Sequence, residues 1–421
     1  MTPPPEPTPV APPRRRFALG CFGTVGVMIL GALALVGFRL QSLLDISDNV
    51  AAVFEEPRWA ESMETSEHLV QYLAAHRDDV GLLAATVDDD GSLTDIVQLN
   101  STVAMPLGAV AFVAVLAGYA TQTVSGRLSA DTRLPSAQWA RWLLPGTDGG
   151  AHADAVEAYL PGGADSVPLS SVVEAMVRFG DPAAADTVFD HVGQAVVRQV
   201  LADQELRSFT PIRPTVGGFL AWRNHDDPDE SPERASRLGM AAPEDLDEEV
   251  ARLVQHWQDA SWHDAELSWR RGSMSIGRLR YEARAAEALG PSAAATDVAR
   301  LLADTATGRF VSAKVSERMS KPLSWAMAVG RNADRFESYG ALHGALPGLL
   351  TEALYAVPRD GPYAGRTRVV VLLMRRMPLS AWLRSMETAA HRYFALRLAT
   401  RPQLSEQLRR ALDRPAEVET P

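Results

Sequence analysis

Several residue clusters in this chain carry groups that can do chemistry. His256, Asp259 and His263 fall at i, i+3 and i+7, so on a helix they would share one face. Such a spacing can hold a metal ion. No fourth ligand accompanies them, so a solvated helix face is the expectation, and no metal or other cofactor is called for. The run RNHDDPDESPE gathers Asp226, Asp227, Asp229 and Glu230. It lacks the ligand spacing of a calcium loop and reads as a solvated loop. Trp257, Trp262 and Trp269 would stack on sugars if they lay exposed in a row, but near-helical spacing fits core packing better. His343 can serve as a base or, when protonated, as a carboxylate-binding cation; a polar strand-end residue is the simpler account. Asp181 can orient a substrate amide, but its context suggests a structural turn, with Pro182 opening the next helix. No G-x-S-x-G elbow or phosphate loop is present.

Composition narrows the classes. The chain has 421 residues, 46% hydrophobic content and a formal net charge of −11. No basic stripe stands out, which excludes nucleic-acid binding as the expected role. The single cysteine, Cys21, rules out an internal disulfide. There are two lysines, Lys314 and Lys321.

The N-terminus points to a membrane. Residues 1–16 form a proline-rich tail ending in Arg14, Arg15 and Arg16. Phe17–Phe38 follows without a charge, long enough to span a bilayer. The arginines before it predict a cytoplasmic N-terminus. The apolar run is longer than a usual signal-peptide core and no clear cleavage site follows, so an uncleaved signal anchor is expected. Cys21 sits in ALGC with the apolar stretch after it, so it reads as a small residue of a membrane helix. The expected order is a cytoplasmic tail (1–16), an anchor (17–38), a connector (39–56), an extracytoplasmic domain (57–400) and a C-terminal tail (401–421).

The order of elements in that domain can be read next. A helix is expected at about 57–76, followed by two apolar runs flanking Asp90-Gly91, a hairpin signal. The stretch Ile96–Gly126 is uncharged. Within it Met105–Ala120 reads as a buried helix, with a second membrane span as the competing reading. Helices are expected at Leu169–Phe179, about 183–201, 247–270 and 294–306, with 206–290 otherwise irregular. LLTEALYAVPR and TRVVVLLMRR read as strands, and Leu379–Leu398 as one amphipathic helix. This order makes plausible one sheet built from both chain ends around a helical insert.

The arrangement resembles the class A β-lactamase and penicillin-binding superfamily of serine hydrolases. The first hairpin with MPLGAVAFVAVLAGYA is similar to the family's opening strands and nucleophile helix. VPLSSVVEAMVRFGDPAAADTVFDHVG is similar to its Ser-Asp-Asn region, and YGALHGALPGLLTEALYAV to its Lys-Thr-Gly strand. The resemblance covers about 64–205 and 294–398. It implies an α+β fold: an antiparallel sheet flanked by helices, an all-helical subdomain, and here one preceding transmembrane helix.

In that family Ser-x-x-Lys supplies nucleophile and basic partner, Ser-Asp-Asn assists proton transfer and binding, and Lys-Thr-Gly grips the substrate carboxylate. Here Ala109 stands at the serine position and Phe112 at the lysine position. The second motif reads Gly180-Asp181-Pro182 and the third Leu342-His343-Gly344; a shift of one would place His343 at the lysine position. Only Asp181 and Gly344 survive in type. Val311 lies three residues before Lys314 and Arg318 three before Lys321, so no Ser-x-x-Lys exists anywhere in the chain. Neither lysine is followed by Thr-Gly. An acyl transfer needs a hydroxyl to attack and a base to take its proton, and apolar groups do neither. The expectation is a membrane-anchored pseudoenzyme that meets an envelope protein or a peptidoglycan-derived ligand. The alternative is an active envelope hydrolase acting on peptidoglycan peptides, β-lactams or esters through a non-standard site around His343 and Asp181.

Overall fold

A computed structural model describes residues 49–54, 56–272 and 279–413. The tail 1–16, the anchor Phe17–Phe38 with Cys21, and residues 39–48 and 414–421 lie outside the described residues. Among the described residues no helix is long and apolar enough to cross a membrane.

After helical residues at 49–53 come a short helix, Arg58–Glu61, and then α1, Ser66–Ala75. The single helix expected at 57–76 is thus two. Thr65 starts the second by accepting the His68 N–H at 3.1 Å, which ends the continuity of the first. Strands β1 (Val80–Val87) and β2 (Leu93–Leu99) form the hairpin expected around Asp90-Gly91. The short β3 (Ala104–Pro106) leads into a 3-10 turn, Gly108–Ala111, and α2, Phe112–Val124. Two more short strands, β4 (Arg133–Pro135) and β5 (Ser166–Pro168), pair with each other, and α3 (Leu169–Arg178) and α4 (Pro182–Val192) follow.

Helices then dominate: α5 (Thr215–Trp222), Pro232–Met240, Pro243–Gln258, Ala260–Gly272 and Leu279–Leu289. The region expected to be irregular is therefore largely helical. Its signal was masked because Pro232 and Pro243 open helices at their first positions, where the missing N–H costs nothing. Strand β6 (Ser292–Ala294) pairs with β3, and α6 (Ala295–Ala306) continues to the C-terminal strands β7 (Phe336–Leu346), β8 (Leu349–Pro358) and β9 (Thr367–Met374). Three helices close the chain: α7 (Leu379–Thr388), α8 (Ala390–Thr400) and α9 (Pro402–Asp413).

The main sheet runs β2-β1-β9-β8-β7, with every neighbouring pair antiparallel. Early and late strands thus share one sheet, as the order of elements predicted. Alternation along β9 sorts its two faces. Val369, Val371 and Leu373 pack toward the helical lobe. Val370, Leu372 and Met374 pack toward α1, α8 and α9, where Leu69, Phe394, Leu398 and Leu408 meet them.

The uncharged stretch is strand, turn and helix. Every residue from Phe112 to Ala120 is buried, because α2 is surrounded by other helices and the sheet edge. Its 13 residues reach only about 20 Å, short of a bilayer core. The second-span reading therefore fails, and the absence of charge reflects burial on all sides.

Further boundaries differ from expectation, among them the helix expected at 247–270, which is divided at Asp259 into Pro243–Gln258 and Ala260–Gly272. The helix expected at about 183–201 is broken at Gly193, where φ is 83°, and Gln194–Asp203 forms its second half. Leu379–Leu398 is broken at Ala389, which takes the left-handed conformation at φ 54°. The C-terminal tail placed at 401–421 is, up to Asp413, the helix α9 packed on α1 and β2. Its Leu404 and Leu408 are buried, so the domain does not end at 400. Nor does it begin at 57: Asn49 and Ala52 are buried, and the Asn49 side-chain oxygen accepts the Leu279 N–H at 2.8 Å. Leu408→Ala is expected to lower unfolding free energy by about 2–4 kcal/mol in urea titrations. A dispensable tail would change it by less than about 0.5 kcal/mol.

Candidate functional site

The turn Gly108–Ala111 rests directly on strand β7. A Cβ at Gly344 would lie 2.4 Å from the Ala109 backbone nitrogen and 2.8 Å from Thr351 Oγ1, so only glycine permits this approach. Thr351 fastens the contact from the neighbouring strand by donating from Oγ1 to the Leu107 carbonyl at 2.7 Å. On the opposite side the chain turns between α3 and α4 at Gly180, whose φ is 66°. A Cβ built there would lie 3.6 Å from Ala109 Cβ and 3.8 Å from the His343 carbonyl oxygen. Three distant segments thus converge on one point, and a cavity of about 960 Å³ opens beside it. Ala109, Phe112, Gly180, Pro182, His343 and Gly344 all line that cavity.

Two of the expected positions do not. Leu342 is buried on the helical-lobe face of β7 and forms core. Asp181 is fully buried; its carboxylate accepts the Trp139 indole N–H at 2.9 Å and the Ala183 N–H at 2.9 Å, and lies 3.0 Å from His152 Nδ1. It caps α4 and ties it to two neighbouring segments. Asp181 is thus a structural residue of the turn before α4, and its carboxylate is engaged by the protein's own groups.

Strand register settles which residue occupies which face. His343 pairs across the sheet with Glu352. By alternation it shares a face with Tyr339 and Ala341, which pack toward the C-terminal helices, whereas Leu342 and Gly344 look toward the turn at Ala109. Burial, aided by the nearby Arg392 and His391 charges, pushes the His343 imidazole down to about 3. It is neutral at physiological pH and cannot act as the carboxylate-binding cation. His343 and Asp181 share no hydrogen bond among the described residues, so no acid–base pair is assembled from them.

Other residues of the cleft carried no sequence signal. Asp186, one turn beyond Asp181 on α4, lines it and accepts the N–H groups of Thr215 and Val216 at the start of α5, at 2.5 and 2.7 Å. Burial pushes its carboxyl up to about 7. Trp382, Met386 and Arg392, from α7 and α8, line it as well. Glu352 is 2% exposed, its Oε2 has no hydrogen-bond partner, and burial pushes its carboxyl up to about 8. Glu352 does not line the cavity; it lies across the sheet from His343.

The remaining sequence candidates resolve as structure. Asp259 Oδ1 is engaged by Ser261 and by the Trp262 N–H, while His263 packs 4.3 Å from the Trp257 ring. Among the described residues no His, Cys, Asp and Glu cluster is poised for a metal. The acidic loop is answered by arginines: Asp227 pairs with Arg234, and Glu230 with Arg223 at 2.9 Å. Trp257 is fully buried, and its indole donates to the Arg141 carbonyl. Trp262 is half-buried and donates to Asp226, and Trp269 lies between the Arg223 and Arg270 guanidiniums. They make no continuous sugar platform.

The architecture is an α+β fold, an antiparallel sheet flanked by helices with a helical lobe inserted between its early and late strands. Among solved structures the chain is similar to the β-lactamase from Sphaerobacter thermophilus DSM 20745, at 16% identity over 78% of this chain and 96% of that one, with a TM-score of 0.47. It is also similar to a β-lactamase from Chitinophaga pinensis DSM 2588, at 14% identity over 83% and 99%, TM-score 0.45. PBP-A matches at 13% identity over 78% and 95%, TM-score 0.44. No family model and no curated protein matches the sequence.

Two measurements test these assignments. Asp181→Ala is expected to cost about 2–4 kcal/mol of stability, since it removes a cap and leaves buried donors unanswered. A residue held only for chemistry would leave the melting curve unchanged. Glu352 releases its proton near pH 4.5 when unfolded but near 8 when folded. The folded state therefore binds the extra proton between those values, and stability falls as pH rises through that window. Glu352→Gln is expected to flatten the decline measured by urea melts between pH 5 and 8. An unchanged slope would contradict the assignment.

Proposed function

We propose that this chain is a membrane-anchored, β-lactamase-like pseudoenzyme that binds a ligand or partner in the bacterial cell envelope without hydrolysing it. The observation that carries this reading is the convergence at Ala109. A methyl group, a glycine and the backbone of β7 meet where acyl transfer would need a hydroxyl. Phe112 puts an aromatic ring where a basic partner would stand, and Leu342 is part of the core. Asp181, the surviving acid, is committed to Trp139, Ala183 and His152. A retained cavity with these linings supports binding rather than turnover. Anchorage through Phe17–Phe38 rests on its length, its lack of charge and the preceding arginines. An envelope protein or a peptidoglycan-derived molecule is the class of partner this location supplies.

Fluorescent-penicillin labelling of the purified full chain tests the reading. No covalent label is expected on denaturing gels. A stable acyl adduct would overturn it.

A further inference from the structure

Exposed apolar side chains gather on one part of this surface. Val50, Phe54, Leu383, Met386 and Tyr393 all stand out into solvent on the first helical turn and on the α7–α8 pair. Phe54 is 69% exposed and Tyr393 61%. Val50 and Phe54 lie one turn apart, linked by the bond from the Phe54 N–H to the Val50 carbonyl, so they share a face. Leu383 and Met386 share a face of α7 by the same spacing. Ser380, one turn before Leu383, donates from Oγ to the Glu56 carbonyl at 3.1 Å, which lays α7 against the chain just after Phe54. Asn49 and Met386 line the same cavity. The two faces thus form one apolar band along a rim of the cleft. A contiguous exposed band of large apolar side chains marks a surface that meets a partner.

The layout of the chain identifies that partner. Residues 39–48 alone separate Phe38, the end of the expected anchor, from Asn49. Fully extended, that connection reaches at most about 40 Å. A domain of this size is about 50 Å across, so the face that carries residues 49–54 is held toward the bilayer. The attraction is not electrostatic, because the formal net charge is −11. The charges within the band are answered internally: Arg384 pairs with Glu64 and with Glu387, at 2.7 Å each. What the band offers is apolar area, with two aromatic rings of the kind that settle at headgroup level.

We propose that this band rests on the bilayer that holds Phe17–Phe38, with Phe54, Leu383 and Met386 seated among the lipid headgroups, so that one rim of the cleft opens at the lipid surface. The proposal rests on anchorage through Phe17–Phe38.

The test uses the full chain in lipid nanodiscs holding one copy each. Cys21→Ser removes the single native cysteine. Phe54→Cys, Leu383→Cys, Met386→Cys and, as control, Val311→Cys are then each labelled with a bimane fluorophore. Val311 is exposed and apolar too, but it lies near the β1–β2 turn, where Arg309 donates to the Asp89 carbonyl. That is the opposite end of the sheet from α7, which follows the end of β9 paired with Val80. Lipids with a nitroxide on the headgroup are expected to quench the labels at 54, 383 and 386 at least about twofold more than the label at 311, and equally at low and high salt. The unlabelled chain gives an independent readout. In discs, peroxide should oxidise the exposed Met240 well before Met386. The double variant Phe54→Asp with Leu383→Asp, both at exposed positions, should melt with the parent chain yet raise Met386 oxidation several-fold and leave Met240 unchanged. Equal quenching at 383 and 311, quenching lost at high salt, Met386 oxidation unmoved by the double variant, or protection of Met386 only in discs holding two copies would each overturn the proposal. Failure of the chain to enter discs would defeat the anchorage reading and this inference together, whereas a chain that enters them without quenching at 54, 383 and 386 defeats this inference alone.

Discussion

The contact between Gly344 and the Gly108–Ala109 backbone governs the geometry of the whole cleft. It allows a turn from the early part of the chain to lie against a strand from the late part, with no side chain between them. Thr351 holds the two together through the Leu107 carbonyl. Once that approach is fixed, α2 must start at the sheet edge and run into the helical lobe. Gly180 then reaches Ala109 from the other side, and the cavity forms between them. The contact is between backbones, so it is indifferent to what Ala109 carries. The turn is thus set by the glycine at 344 and the Leu107 carbonyl, not by the side chain at 109.

The elements that sequence predicted well were those with one dominant local signal. Asp90-Gly91 between apolar runs identified the hairpin, and the unbroken apolar runs of β8 and β9 identified buried strands. The errors cluster where a single residue interrupts a continuous pattern. Thr65, Gly193 and Ala389 each divide what periodicity alone joins. The stretch 206–290 hid its helices behind prolines and acidic residues that belong at helix starts. Convergence of Ala109, Gly180 and Gly344 was legible only through the resemblance, since no local rule brings three distant segments together. The far wall was not legible at all. Arg392 and Trp382 lie on a helix pair that reads as an ordinary amphipathic segment, and their lack of partners is a property of packing alone.

Polar groups in this molecule divide into two kinds. Asp181 and Asp186 are buried carboxylates consumed by the backbone and side chains around them, and they stiffen the lobe that forms one cleft wall. Glu352, His343 and His391 are buried groups that low polarity has driven toward neutrality. The first kind stores order; the second removes charge from the face of the sheet that the C-terminal helices cover. Together they leave a cavity whose walls are mostly apolar and whose shape is set by well-connected elements.

Asn49 gives the assembly a mechanical character. Its side chain bonds to the Leu279 amide at the start of the helix Leu279–Leu289, and both residues line the cleft. A force applied to the chain ahead of residue 49 is therefore borne first by a wall of the cavity rather than by the central sheet. Tension on the chain at Asn49 would thus reach the cleft wall through the Leu279 amide, so a pull at this point of the polypeptide bears on the width of the cavity.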